Sequence, residues 1–158
     1  MAFRKFEGPF SEAEFLECRS LFIGERLIID LYECLPIGEG EMAEVEGEQL
    51  PIHTMGLSEL SRIWRFGFDH PFVLRRRDRV VALREMSSET KPVANCSYSE
   101  DSAWIEEFDF DASPRVFVPT HYIFNCVDQI IEVLGDDHPE MEQIANDLNV
   151  DGSSPSDL

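Results

Sequence analysis

The layout of charge along this chain limits what it can fold into more than any other feature. Residues 1–61 carry 4 basic and 13 acidic groups, residues 62–91 carry 8 and 4, and residues 92–158 carry 1 and 15. A positive island therefore lies between two negative segments, in a chain whose net charge is −19. Eleven of the 13 cations are arginine, and seven of these fall between Arg62 and Arg84. A fold that brings the island against its flanks neutralises charge internally. A fold that keeps them apart makes a bipolar surface, with an acidic face free for a basic partner. A pI near 4.4 argues against direct nucleic-acid binding through a basic surface.

The 158 residues suit one domain, and a chain of this length buries about 70% of its unfolded surface without a disulfide or metal staple. With 43% hydrophobic residues, wholesale disorder is excluded. No apolar run approaches the ~20 residues of a membrane span. The opening MAFRKFEGPF has no apolar stretch and no cleavage site, so no export signal is expected, and the location expected is cytoplasmic. Cys18, Cys34, Cys96 and Cys126 match no zinc spacing. In a reducing compartment they are expected as four free thiols.

The local patterns predict an α+β fold: a single domain over 1–150, mostly antiparallel sheet packed against an N-terminal helix and two C-terminal helices. A polar tail at 151–158 is expected to be disordered. The capping box Ser11–Glu14, with Phe15, Cys18 and Phe22 at helical spacing, predicts a helix over 12–22. Residues 26–35 and 51–55 read as strands, and 42–46 as a short edge strand or part of a mobile acidic loop. Ser58 is placed to cap a short helix carrying Leu60, Ile63 and Trp64. Residues 71–74 and 80–83 read as a hairpin with Arg75–Arg79 at its tip. Residues 87–95 read as a loop, and 103–110 and 115–118 as strands. Ile123, Val127, Ile130, Ile131 and Leu134 predict a helix over 121–134, and Pro139 starts a last one bearing Met141, Ile144 and Leu148.

Chemistry-bearing motifs are sparse. There is no phosphate-loop lysine, no G-x-G-x-x-G and no Gly-x-Ser-x-Gly elbow. His53, His70, His121 and His138 offer no metal-ligating spacing, so neither metal nor cofactor is expected. His121 and Cys126, five apart on a helix, would point about 140° away from each other. No catalytic residues are expected, and a non-enzymatic protein is favoured. Two acidic groups stand out as partner-binding candidates: Glu41, Glu44, Glu46 and Glu48, and then Glu106, Glu107, Asp109 and Asp111. Arg75, Arg77, Arg79 and Arg84 are the alternative, a cluster able to receive an anion.

The run Pro51-Ile52-His53-Thr54-Met55-Gly56-Leu57-Ser58-Glu59-Leu60 resembles the strand-then-turn signature of suppressor-of-fused-like domains, in which T-x-G-[ML]-S-[DE] follows a strand. The resemblance covers ten residues, and the arginine-rich stretch after it departs from the family pattern. It implies a binding module similar to bacterial immunity proteins, and it supplies no catalytic residues. The function expected is therefore that of an acidic cytoplasmic binding protein, of immunity or inhibitor type, that neutralises a basic protein partner. The alternative is a small-ligand or regulatory domain taking an anion at the Arg62–Arg84 island. Further alternatives are an enzyme whose residues only the fold assembles, and surface acidity serving solubility in a salty cytoplasm. Oligomeric state is left open.

Overall fold

Dense β-branched and aromatic runs separated by short turns build this chain as antiparallel sheet. The computed structural model describes residues 3–69, 71–86, 94–108, 119–135 and 138–146. Its elements, in order, are β1 (Arg4–Lys5), a 3-10 turn (Pro9–Glu12), β2 (Phe15–Ile23), β3 (Arg26–Val45), β4 (Glu48–Gly56), β5 (Ile63–Phe68) and β6 (Pro71–Asp78). There follow α1 (Arg79–Glu85), β7 (Cys96–Ser99), α2 (Ala103–Glu107), β8 (Thr120–Asn125), β9 (Gln129–Gly135) and β10 (Glu140–Ile144). One sheet has the order β1-β7-β8-β9-β6. The other has the order β10-β5-β3-β2, with β4 added along the far half of β3.

The two sheets face each other across one core. Leu27, Ile29 and Leu31 alternate inward from β3, opposite Phe68, Phe66 and Trp64 of β5. Tyr122 and Phe124 of β8 and Ile131 and Val133 of β9 meet them from the other sheet. Aromatic rings interlock across the gap, with Phe66 and Phe124 centroids 5.3 Å apart and Phe68 and Tyr122 5.2 Å apart, both edge to face. The outer side of the first sheet is covered as well: Ile123 and Ile130 pack with Phe3 and with Ala82 of α1.

The expected N-terminal helix and both C-terminal helices are strands. Phe15–Ile23 pairs along its whole length with Arg26–Cys34, and Leu16 and Cys18 point inward on a period of two. The capping serine instead closes a tight turn, Ser11 Oγ accepting from the Gly8 N–H at 3.1 Å. Residues 121–134 form a hairpin, β8 and β9. Its Ile130, Ile131, Val133 and Leu134 are buried on both faces of a covered sheet, so a continuous apolar run imitates a helical stripe. Glu140–Ile144 is an edge strand on β5.

Other expectations shift too. Residues 103–107 are helical, started by Ser102 Oγ accepting from the Ile105 N–H at 3.3 Å. Arg75–Arg77 lie inside β6 rather than at a hairpin tip, and residues 80–83 belong to α1, capped by the Asp78 carboxylate on the Val81 N–H. Ser58 closes a turn onto the Leu60 N–H, and Ile63 and Trp64 start β5. Strands are present at 26–35, 42–45 and 51–55, within β3 and β4. The strand expected at 115–118, the tail at 151–158 and most of the loop at 87–95 lie outside the described residues.

The thiols also differ from expectation. Cys18 and Cys126 form a disulfide with Cα atoms 5.9 Å apart, while Cys34 and Cys96 are free and buried. Around that bond the β8–β9 turn docks on the outer edge of β2: the Val127 N–H donates to the Leu16 carbonyl at 2.8 Å, and Gln129 Nε2 to the Cys18 carbonyl at 3.0 Å.

Candidate functional site

Strand register places Arg75 of β6 opposite Glu132 of β9, and Glu132 opposite Ile123 of β8. Side chains two apart on a strand share a face, so Arg77 and His121 flank the same carboxylate on the outer side of the first sheet. Glu132 is only 1% exposed. Arg75 grips it with two parallel bonds, Nε to Oε2 at 2.8 Å and Nη2 to Oε1 at 2.9 Å. Arg77 Nη2 adds a bond to Oε2 at 2.9 Å, and His121 Nε2 one to Oε1 at 3.0 Å. Burial alone would raise the Glu132 pKa, but the bonds from His121 and Arg75 outweigh it and hold the carboxyl at about 2. Burial lowers the His121 pKa, with Glu132 opposing, so the ring is neutral at pH 7.

The tautomer follows. An ionised carboxylate only accepts, so His121 carries its proton on Nε2, and Nδ1 accepts from the Ser102 hydroxyl at 2.8 Å. Serine, histidine and carboxylate thus stand in the donor order of a nucleophilic relay. Three facts direct the network to a different use. Ser102 is 1% exposed, its Oγ caps α2, and Glu132 already serves two guanidiniums. The network fixes Arg75 and Arg77, and it seats Trp104, whose ring lies 4.2 Å below the Arg75 guanidinium and 5.0 Å from the His121 ring. Phe3, Met86, Trp104 and Arg77 border a cavity of about 180 Å³ there.

The four arginines expected to act together are divided. Arg75 and Arg77 share Glu132, Arg79 Nε donates to Asn125 Oδ1 at 3.1 Å, and Arg84 stands exposed in the last turn of α1. Arg62 pairs with Glu33 at 2.6 Å and Arg65 with Asp30 at 2.8 Å, while Arg76 is exposed. Hydrogen bonds from Arg62 hold the Glu33 carboxyl below its ordinary pKa. Much of the island is therefore neutralised inside the molecule.

The first acidic segment is left outward. β2 leaves β3 at Cys34 and β5 leaves it at Tyr32, so from Leu35 onward β3 pairs with β4 alone. The result is a two-stranded ribbon closed by Glu46 (φ 52°) and Gly47 (φ 85°), a two-residue turn of the type that fits the right-handed twist of its strands. Glu41, Glu44, Glu46 and Glu48 are all exposed on it, and none forms an ion pair among the described residues. Directly paired residues share a face, so Ala43, Val45, Leu50 and Ile52 lie on one side with Glu41 and Glu48. Met42 and Glu44 lie on the other. Ile52 is 51% exposed and Met42 61%. Of the second acidic segment, Glu106 and Glu107 are exposed on α2, while Asp109 and Asp111 lie outside the described residues. The ribbon continues the second sheet and α2 covers the first, so the two segments occupy different parts of the fold.

No known protein family matches the chain, and neither a curated protein nor a solved structure is significantly similar to it. No described helix is long and apolar enough to cross a membrane. A helix over 121–134 hides the Glu132 network, because it puts His121 and Glu132 about three turns apart instead of side by side on paired strands. On strands, the alternation of His121 with Tyr122 and of Glu132 with Val133 is the signal that reveals it.

Proposed function

We propose that this chain is a non-enzymatic binding protein whose β3–β4 ribbon docks on a basic protein partner. The observation that carries this reading is the ribbon itself, with apolar side chains exposed on both faces and four exposed glutamates that pair with no cation among the described residues. A two-stranded ribbon is marginally stable alone, so contact that covers it gains apolar burial and order together. The glutamates steer a basic surface toward it, and salt weakens that steering mainly through the association rate. The resemblance of residues 51–60 to suppressor-of-fused-like immunity modules fits a binding role, since these residues span the end of β4 and the turn after it. The Cys18–Cys126 bond weighs against the reducing cytoplasm that the sequence suggested, because disulfides persist in oxidising compartments.

The test compares immobilised wild-type chain with a Glu41→Lys, Glu44→Lys, Glu48→Lys variant against one lysate at low and high salt. Basic proteins held by the wild type at low salt should be released at high salt and not captured by the variant. Capture that survives the triple reversal would place the docking surface away from the ribbon and end this reading.

A further inference from the structure

The second sheet ends in an open edge. β2 is its last strand, and half of that edge is already taken: the Leu16 carbonyl accepts from the Val127 N–H and the Cys18 carbonyl from Gln129 Nε2. Backbone groups alternate in direction along a strand, so the even-numbered residues of β2 face outward and the odd-numbered ones face β3. Ser20 and Phe22 therefore present their N–H and C=O groups beyond the docked turn, and none of the four is bonded among the described residues. The side chains there are apolar. Leu21, Phe22 and Ile23 are 60%, 50% and 62% exposed, the longest run of exposed large apolar side chains among the described residues. The one charge of the stretch, Arg19, is folded back over its own sheet, its guanidinium 4.6 Å from the centre of the Tyr32 ring and 3.8 Å from the Glu17 carboxylate. Other sheet edges are guarded, by the exposed Glu140 and Glu142 on β10 and by Pro71 and three arginines on β6.

We infer that this edge pairs with the same edge of a second copy of the chain, antiparallel about a two-fold axis at Leu21. In that register Ser20 of each copy faces Phe22 of the other, and the free groups of both copies close four hydrogen bonds. The two Leu21 side chains meet directly on the outer face, and the two Phe22 rings lie diagonally on the inner one, within reach of each other. An axis at Ser20 would drive Phe22 of the second copy into the β8–β9 turn at Cys18. An axis at Phe22 would pair Ser20 with Gly24, where the chain has already turned (φ 62°). The stretch matches itself in hydrogen bonding and offers no free charge to select a partner of opposite sign, so a second copy is the occupant that fits. Five residues a side are far fewer than the roughly 20–30 of a stable interface, so the dimer forms only at high protein concentration. Two copies of net charge −19 repel, and salt screens that repulsion. Dimerisation therefore strengthens with salt, opposite in sign to ribbon docking, and it uses the other end of β3 from the ribbon.

Sedimentation equilibrium of the whole chain should show a monomer–dimer equilibrium that tightens from low to high salt. Leu21→Lys sets two like charges directly opposite at the axis and should weaken the dimer about tenfold, while Ile52→Lys on the ribbon leaves it unchanged. Cross-linking reads the register. Leu21→Cys puts the two new thiols across a non-hydrogen-bonded pair, with Cβ atoms about 4.5 Å apart, and diamide should oxidise them to an interchain disulfide. Ile23→Cys is a matched control at an equally exposed position: its thiols lie about 13 Å apart in this register and should not join. A chain that stays monomeric up to about 1 mM at high salt, a dimer indifferent to Leu21→Lys, or cross-linking of Ile23→Cys as fast as that of Leu21→Cys would each overturn the assignment.

Discussion

At the scale of single residues, Glu132 and His121 tie the stability of the fold to pH. The unfolded imidazole takes up a proton near its ordinary pKa of ~6.5, whereas the folded His121 resists it because it is buried. Protons therefore favour the unfolded chain as pH drops through that range. Glu132 acts the same way lower down. Its folded pKa of about 2 lies below the ordinary carboxylate range, so the stability it contributes is complete above ~4.3 and is lost as pH falls toward 2. The urea midpoint should thus fall between about pH 7.5 and about pH 5, and fall again in stronger acid. His121→Phe should flatten the first decline while lowering stability throughout, since it leaves Ser102 and one Glu132 oxygen short of a partner. Glu132→Gln should cost about 3 kcal/mol at neutral pH, because it leaves two guanidiniums without their shared anion. A midpoint in the wild type that does not move between neutral pH and pH 5 would show that His121 is not held neutral by the fold.

At the scale of elements, pairing decided what local patterns could not. The strands at 26–35 and 51–55 were legible because β-branched and aromatic residues there are bounded by proline and glycine turns. The segments 12–22 and 121–134 were not. In the first, Phe15, Cys18 and Phe22 fit a helical period while Leu16 and Cys18 fit a strand period, and only the nine-residue register with β3 chooses between them. In the second, burial on both faces removes the alternation that would have declared strands. The acidic ribbon was half legible: its glutamates were visible, but its isolation depends on where β2 and β5 stop, which no local pattern records. Its turn gives a sharp prediction. Glu46 holds a left-handed conformation that costs a residue with a Cβ roughly 1 kcal/mol, and asparagine tolerates that region better. Glu46→Asn should therefore slow amide exchange across Ala43, Val45 and Leu50 without moving the global melt, because the ribbon opens independently of the sandwich. Unchanged exchange would mean that the turn does not limit ribbon opening.

At the scale of the whole molecule, two sheets that each present an apolar face must also be held in one relative position. On one side β5 runs into β6 across two residues, so the chain itself joins the sheets. Near β2 the β8–β9 turn adds a join away from the chain crossings, through the Val127 and Gln129 bonds and the Cys18–Cys126 disulfide. The bonded cysteines are 108 residues apart, and closing a loop of that size removes chain entropy from the unfolded state worth about 5 kcal/mol. Reduction, or the pair Cys18→Ala and Cys126→Ala, should therefore lower the unfolding free energy by about that amount. Urea melts with and without reductant, with the bond state checked by mass spectrometry, measure it directly. The buried Cys34 and Cys96 should stay unreactive until unfolding, since burial raises both thiol pKa values, that of the fully buried Cys96 most strongly. The ribbon lies beyond the clasp on β3, so the reduced but folded chain should keep its salt-dependent partner binding while losing stability. Loss of binding on reduction below the melting transition would instead show that the clasp and the ribbon are mechanically coupled through β3.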